Sequence, residues 1–327
     1  MNSFNGQNIL ITGGLGFVGS NLAIKLVELG AKVKIIDKLH PTMGGNLYNI
    51  EPVKQYVKVV IGDICNQNTM SSLIKDTDII YNLAGQISHI DSMTDPYFDL
   101  DVNCKSQISL LENCRKNNPK ILIIFTSTRQ IYGIPKYLPV NEKHPVSPID
   151  VNGIHKYAAE CYHTLYNKYH GLKTISLRLT NTFGPRQAIN LDNQGVVGIF
   201  IKKALMGERI KLFGTGEQLR DFNYVDDVVD ALLLCAQEKI AIGKTYNLGD
   251  NKRYSLLDFV NILKKKCSIA YDIVPFPKDK ELIDIGDYYS DITKINKEIG
   301  WSPKIKLTNG IEKTIEYFNE NLKYYKK

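Results

Sequence analysis

None of the six cysteines (Cys65, Cys104, Cys114, Cys161, Cys235, Cys267) belongs to a Cys-x-x-Cys pair. That argues against a thiolate metal site or a paired redox centre, and no metal is expected. The cysteines are scattered through apolar segments, so the expectation is buried free thiols in a reducing compartment. No apolar run is long enough to cross a bilayer. The chain has no basic and apolar leader and enters the strand-like "NILITGG" at once, so the expected location is the cytoplasm. Lys and Arg form no clustered stripe. The net charge of +7 is mild for 327 residues, and the "KYYKK" tail supplies three of the positives. Neither nucleic acid nor membrane is therefore expected as a partner. Internal repeats and low-complexity stretches are also absent.

What is present is a 43% apolar chain, enough for a large core or two unequal lobes. "NILIT", "KVKIID", "VKVVIGD", "DIIYNLAG", "ILIIFTST" and "TISLRLT" read as short strands. Their continuous apolar character suits strands buried on both faces. Helical patterns separate several of them, notably over residues 16–29, 96–116 and 152–169, where Asn152 is a candidate N-cap. Alternating strand and helix implies an α/β fold, a doubly wound parallel sheet of Rossmann type. After Thr180 the rhythm changes to Gly- and Pro-containing loops, followed by helices over 225–237 and 256–266. "KTYNLGD" is a late strand that could rejoin the sheet. The expected organisation is a dinucleotide-binding domain of residues 1–180 plus 225–250, and a smaller discontinuous α/β lobe of 181–224 plus 251–327.

"TGGLGFVGS" sets Gly13, Gly16 and Gly19 between the first strand and the first helix, with Phe17 and Val18 among them. The first glycine allows a tight turn, the second lets a pyrophosphate approach the backbone, and the third lets helix and strand pack closely. The helix N-terminus then offers N–H groups and a partial positive charge to the phosphates. Asp37, at the end of the second strand, can accept hydrogen bonds from ribose hydroxyls and would repel a 2′-phosphate. The pattern predicts NAD rather than NADP.

This glycine spacing, followed by "GDI" at 62–64 and "NLAG" at 82–85, resembles the extended short-chain dehydrogenase/reductase family. "FTSTRQIYG", "LRLTNTFGPRQ", "LRDFNYVDDVVDALL" and "WSPKIKLTNGIEKTIEYF" are similar to its later segments, so the resemblance runs through nearly the whole chain in order. Members mostly act on nucleotide-linked sugars. The resemblance implies that Asp63 meets the adenine, that Gly85 lines the nicotinamide side, that Ile64, Leu83 and Ala84 belong to the cofactor site with them, and that Asn103 sits behind the cofactor. Thr128 matches the hydroxyl that bonds the reacting sugar oxygen, and Lys156 the lysine that binds the nicotinamide ribose. Asn181, Arg186, Gln187 and Arg220 fall on the segments that hold the nucleotide-diphosphate sugar. A homodimer is implied through helices matching residues 96–116 and 152–169.

One position departs from the family. Four residues before Lys156 the family has a tyrosine that acts as general base, and this chain has Asn152, which cannot titrate. Three explanations stay open. Another group, from His155, Tyr157 or His89, supplies the base. Lys156 itself does so, if burial lowers its pKa. Or the site binds NAD and a nucleotide sugar without turnover. Arg129 and Gln130 stand where family dehydratases carry an acid pair, which disfavours dehydration. "ELIDIGDYYSD" supplies acids where many members have a second diphosphate-binding arginine. Within the family, "NLAGQ" and "GPRQAINLDNQGVVGIF" look most like CDP-tyvelose 2-epimerases, with UDP-sugar 4-epimerases next. The expected activity is an NAD-dependent nucleotide-sugar epimerase working through a transient keto-sugar. The alternatives are a dehydrogenase, reductase or dehydratase, or a non-catalytic binding protein.

Overall fold

A computed structural model describes residues 4–191, 195–250 and 252–325. Residues 192–194 of the "GPRQAINLDNQGVVGIF" stretch and the last two lysines lie outside the described residues. Six strands follow the predicted runs closely: β1 (Asn8–Thr12), β2 (Lys32–Asp37), β3 (Val57–Ile61), β4 (Ile79–Asn82), β5 (Leu122–Thr128) and β6 (Lys173–Leu179). Short strands follow: β7 (Asn181–Phe183), β8 (Ile210–Phe213), β9 (Leu219–Arg220), β10 (Phe222–Tyr224) and β11 (Thr245–Asn247). The central sheet is all parallel, in the order β11-β6-β5-β4-β1-β2-β3. The late strand β11 does rejoin it, beside β6.

Helices α1 (Phe17–Glu28), α2 (Gln67–Ile74), α5 (Ser106–Asn117), α6 (Val151–His170) and α8 (Val225–Gln237) cover the two faces of this sheet, the short α3 (His89–Thr94) and α4 (Pro96–Leu100) pack on α6, and α7 (Val196–Met206) lies in the second lobe. Neighbouring strand residues point to opposite faces. Ile9 and Ile11 of β1 accordingly enter one apolar core with Leu22 and Leu26, and Leu10 enters another with Leu110 and Leu111. A further core joins Phe183, Phe200, Phe222, Phe259 and Phe318, drawn from β7, α7, β10, α9 (Leu256–Lys266) and the helix Leu307–Asn321.

Four expectations need correction. The N-cap of α6 is Asp150, which accepts from the Gly153 N–H at 2.6 Å; Asn152 lies inside the helix. The helix expected over 96–116 is interrupted by a π-helical turn at Asp101–Lys105, between α4 and α5. Ile295, Ile299 and Trp301, assigned by sequence to the second lobe, pack in the dinucleotide-domain core, where the Trp301 indole donates to the Asp227 carbonyl at 2.9 Å. The cysteines are free but not uniformly buried: Cys161 is exposed, and Cys65 and Cys267 are half-buried.

Candidate active site

The strand order reverses between β1 and β4, and a doubly wound sheet opens a crevice at such a point, beyond the carboxyl ends of its strands. Here the crevice is a cavity of about 1210 Å³, lined from Gly13, Asp37 and Asp63 at one end to Asn181, Arg220 and Asp284 at the other. That is room for a dinucleotide and a second ligand together. Gly13 turns the chain at φ +68°, and a Cβ there would lie 2.9 Å from the Ala84 backbone. A Cβ on Gly19 would come within 2.3 Å of the Gly13 carbonyl oxygen. The turn therefore needs its glycines for backbone packing, and Gly16, Phe17, Val18 and Gly19 at the start of α1 all face the cavity. The N-cap, Gly16, has no side chain to cap those N–H groups, which leaves them for a phosphate.

Asp37 is held by two backbone donors, Leu15 N–H to Oδ2 at 3.0 Å and Leu39 N–H to Oδ1 at 2.9 Å. Burial pushes its carboxyl above the ordinary value, against the pull of those two bonds. Asp63 accepts from the Cys65 N–H at 2.8 Å and pairs with Lys38 at 2.9 Å. Ile64, Leu83, Ala84 and Gly85 complete this wall. The residues present therefore fit NAD: a bare helix start, an acid where the ribose would lie, and an apolar wall opposite.

At the centre of the cavity stand Thr128, Asn152 and Lys156. Thr128 Oγ1 accepts from the Gln130 N–H at 3.2 Å, which leaves its own O–H free to meet a ligand. Lys156 is 6% exposed and donates to the Thr126 carbonyl at 3.0 Å, with its ammonium 5.0 Å above the Phe125 ring. Burial pulls its pKa down to about 8, partly opposed by the charge of Asp99. Asn152 Nδ2 donates to the Gln86 carbonyl at 2.8 Å and lies 3.2 Å from Asp99 Oδ2.

Asp99 is the residue that reading the sequence missed. Its carboxylate is fully buried and accepts from Asn103 at 3.0 Å on Oδ2, while His155 Nδ1 lies 2.8 Å from Oδ1. Asn103 does sit behind the cavity wall, bonding both ways with the Gln86 backbone at 3.1 and 2.9 Å. An isolated Asp in "DPYFDLDVN" carries no pattern, because its partners are 4, 53 and 56 residues away.

Of the three side chains named as replacements for the missing tyrosine, two are turned elsewhere. His155 is turned to Asp99 and does not line the cavity, and Tyr157 packs among Tyr132, Val140 and Tyr288. His89 does line it.

In the second lobe, Gln187 and Asn181 face the cavity, and Asn181 is held between the Arg129 guanidinium (3.2 Å) and the Asp221 carbonyl (3.0 Å). Arg220 faces it as well, pairing with Asp284 at 3.1 Å rather than with the neighbouring Asp221 or Asp226. Burial, and then the charge of Arg129, pull its guanidinium down to about 10, which still leaves it cationic at neutral pH. Arg186 is the exception among the expected ligand residues. It adopts φ +70° and donates to the Asn49 carbonyl at 3.0 Å and to Asn21 Oδ1 at 2.9 Å, so it ties the lobe to the first domain outside the cavity.

A parallel sheet with this glycine turn, this acid on β2 and a Thr and Lys at the centre of the crevice defines an extended short-chain dehydrogenase/reductase. The family model described as GDP-mannose 4,6 dehydratase matches residues 10–314, and the chain belongs to this family of nucleotide-sugar epimerases and dehydratases. A protein of Methanocaldococcus jannaschii is 35% identical over 314 residues, covering 96% of this chain and 99% of its own. A crystal structure of UDP-glucose 4-epimerase with UDP-glucose from Thermotoga maritima is similar at TM-score 0.88 and 32% identity, covering 97% of this chain and all (100%) of that one. UDP-glucuronic acid 4-epimerase from Bacillus cereus, solved with UDP-glucuronic acid and NAD, is similar at TM-score 0.85 and 26% identity, over 96% and 100% of the two chains. The similar proteins also include a CDP-paratose 2-epimerase, UDP-glucuronic acid decarboxylases and a dTDP-glucose 4,6-dehydratase.

Proposed function

We propose that the protein is an NAD-dependent epimerase of a nucleotide-diphosphate sugar. The observation that carries this reading is the single cavity joining the glycine turn, the Thr128–Lys156 centre and the Arg220 end. In it, Gly13 to Gly19, Asp37 and Asp63 would hold NAD, which supplies a reversible acceptor of hydride. Arg220, Asn181 and Gln187 would hold the nucleotide diphosphate. Thr128 would orient the reacting hydroxyl. Lys156, buried and short of solvation, would bind the nicotinamide ribose and favour loss of the hydroxyl proton electrostatically. Arg129 has a buried Nη1 with no hydrogen-bond partner. It stands beside Thr128 and is suited to donate to a sugar oxygen.

Epimerisation is favoured over dehydration because Arg129 and Gln130 offer no carboxylate next to Thr128, and Gln130 Nε2 is already committed to Asp150 at 3.0 Å. An assay of purified protein with NAD and a panel of CDP-, UDP-, GDP- and dTDP-sugars tests this. The expected result is an isomer of unchanged mass without accumulating NADH. Stoichiometric NADH would make the protein a dehydrogenase, a loss of water a dehydratase, and binding without turnover a non-catalytic protein. The reading includes a homodimer through α6, supported by Ile154, Cys161, Leu165 and Tyr169, which form one exposed stripe at helical spacing. Sedimentation should give twice the chain mass.

A further inference from the structure

We infer that His89 takes the hydroxyl proton that a tyrosine would otherwise take. This rests on the reading that the site oxidises a sugar hydroxyl. His89 begins α3, and its imidazole is about one-third exposed (34%), with Nδ1 buried 3.2 Å from Asp150 Oδ2. The approach is oblique, an ion-pair contact rather than an aligned hydrogen bond. Asp150 is fully buried and immobilised on three sides. It caps α6 through the Gly153 N–H, accepts from Gln130 at 3.0 Å, and faces His89. Gln130 lies two residues beyond Thr128, and Asp150 two residues before Asn152. The carboxylate behind the imidazole is thus anchored from both sides of the centre where the sugar would react. His89, Thr128, Asn152 and Lys156 line the same cavity.

A buried carboxylate beside one ring nitrogen fixes the proton there and leaves the other nitrogen as the acceptor. With the proton on Nδ1, the nitrogen that lies beside the Asp150 carboxylate, the lone pair of Nε2 is available to the cavity. The sugar O–H bond breaks and its proton passes to Nε2. The adjacent C–H bond would break with its electron pair leaving as hydride, which bound NAD would accept, and a C=O bond would form. Reversal on the opposite face returns both and restores neutral His89. Lys156 is a poorer candidate, since its ammonium is engaged by the Thr126 carbonyl.

Two measurements decide this. Nitrogen-15 NMR of histidine-labelled wild type at pH 8, compared with His89→Asn to assign the signal, should show His89 protonated at Nδ1 and bare at Nε2. A proton on Nε2 would overturn the proposal. Single-turnover hydride transfer in His89→Ala should fall by about 10²-fold or more, with NAD and nucleotide-sugar binding unchanged, and added imidazole should restore part of it. Transfer within about threefold of wild type, far short of a general-base effect, would overturn it, as would a loss that imidazole does not rescue in protein that still binds both ligands. NADH that accumulates in wild type would sink the epimerase reading and leave His89 standing, because oxidation needs the same proton acceptor. If wild type oxidises none of the sugars, the epimerase reading and the proton step fall together, even with the expected tautomer.

Discussion

Asn152 and Asp99 meet across the floor of the active site, amide nitrogen to carboxylate at 3.2 Å, and both are buried. The contact explains how an amide can sit where the family places a phenol. Asp99 is a buried carboxylate that also serves Asn103 and His155, and Asn152 brings it a donor while bonding the Gln86 carbonyl. Asn152→Ala should lower stability by about 1–3 kcal/mol, the cost of leaving buried acceptors short of donors. Asn152→Asp should cost more at neutral pH, because it sets a second carboxylate against the first. Urea denaturation of the two variants at pH 7 checks the order. Equal losses would show that the contact with Asp99 does not matter energetically.

Lys156 should leave a signature in stability at alkaline pH. Its folded pKa is about 8, lowered by burial, against about 10.4 for a free lysine. Between those values the unfolded chain holds a proton that the folded chain has released, so stability rises with pH in that window. Below it both states are charged and the burial penalty is complete, on the order of 3 kcal/mol. The unfolding free energy of wild type minus that of Lys156→Met should therefore increase from pH 8 to pH 10. A flat difference would mean that the ammonium is solvated.

His163 should act at the opposite end of the scale. It is fully buried, stacked on Phe125 at 4.5 Å, and burial together with the nearby Lys156 charge pulls it down to about 3. A free histidine titrates near about 6.5. As pH falls below that, the unfolded chain takes up a proton that the folded chain refuses, and stability is lost. The loss between pH 6.5 and 5 should be about 2 kcal/mol. His163→Phe keeps the stacking and removes the titration, so its stability should decline less over the same interval.

The features that could be read from the sequence are those carried by local pattern. The apolar runs of β1 to β6 are continuous because both faces of the sheet are covered, and the glycine turn is written in three glycines spaced three residues apart, Gly13, Gly16 and Gly19. Gly13, Asp37, Thr128 and Lys156 all line the one cavity. What escaped depends on distant partners. Asp99 gains its meaning from Asn103, Asn152 and His155 together. Arg186 looked like a ligand residue because it follows "TFGP", yet Asn21 and Asn49 claim its guanidinium. Asn152 looked like an N-cap, but Asp150 two residues earlier is also a good cap and has the stronger geometry. His89 could be named from sequence only as one loop histidine among several, since Asp150 is 61 residues further along.

The cofactor preference can be tested at a single carboxylate. Asp37 lines the adenosine end, and its two oxygens are oriented by the Leu15 and Leu39 N–H groups. A 2′-phosphate placed there would meet a fixed negative charge, while ribose hydroxyls would meet acceptors. Lys38, next in the chain, faces the same space but is paired with Asp63. Asp37→Asn removes the repulsion, keeps one acceptor oxygen and leaves Lys38 able to turn to a phosphate. NAD affinity should fall about 10-fold, the worth of a charge-assisted hydrogen bond, while NADP affinity should rise, so the NAD-to-NADP ratio shifts by more than the NAD loss alone. Calorimetric titration of both cofactors into wild type and variant measures this. An unchanged ratio would show that the 2′ position is read elsewhere, and Lys38 with the backbone of residues 38–40 would then be the place to look.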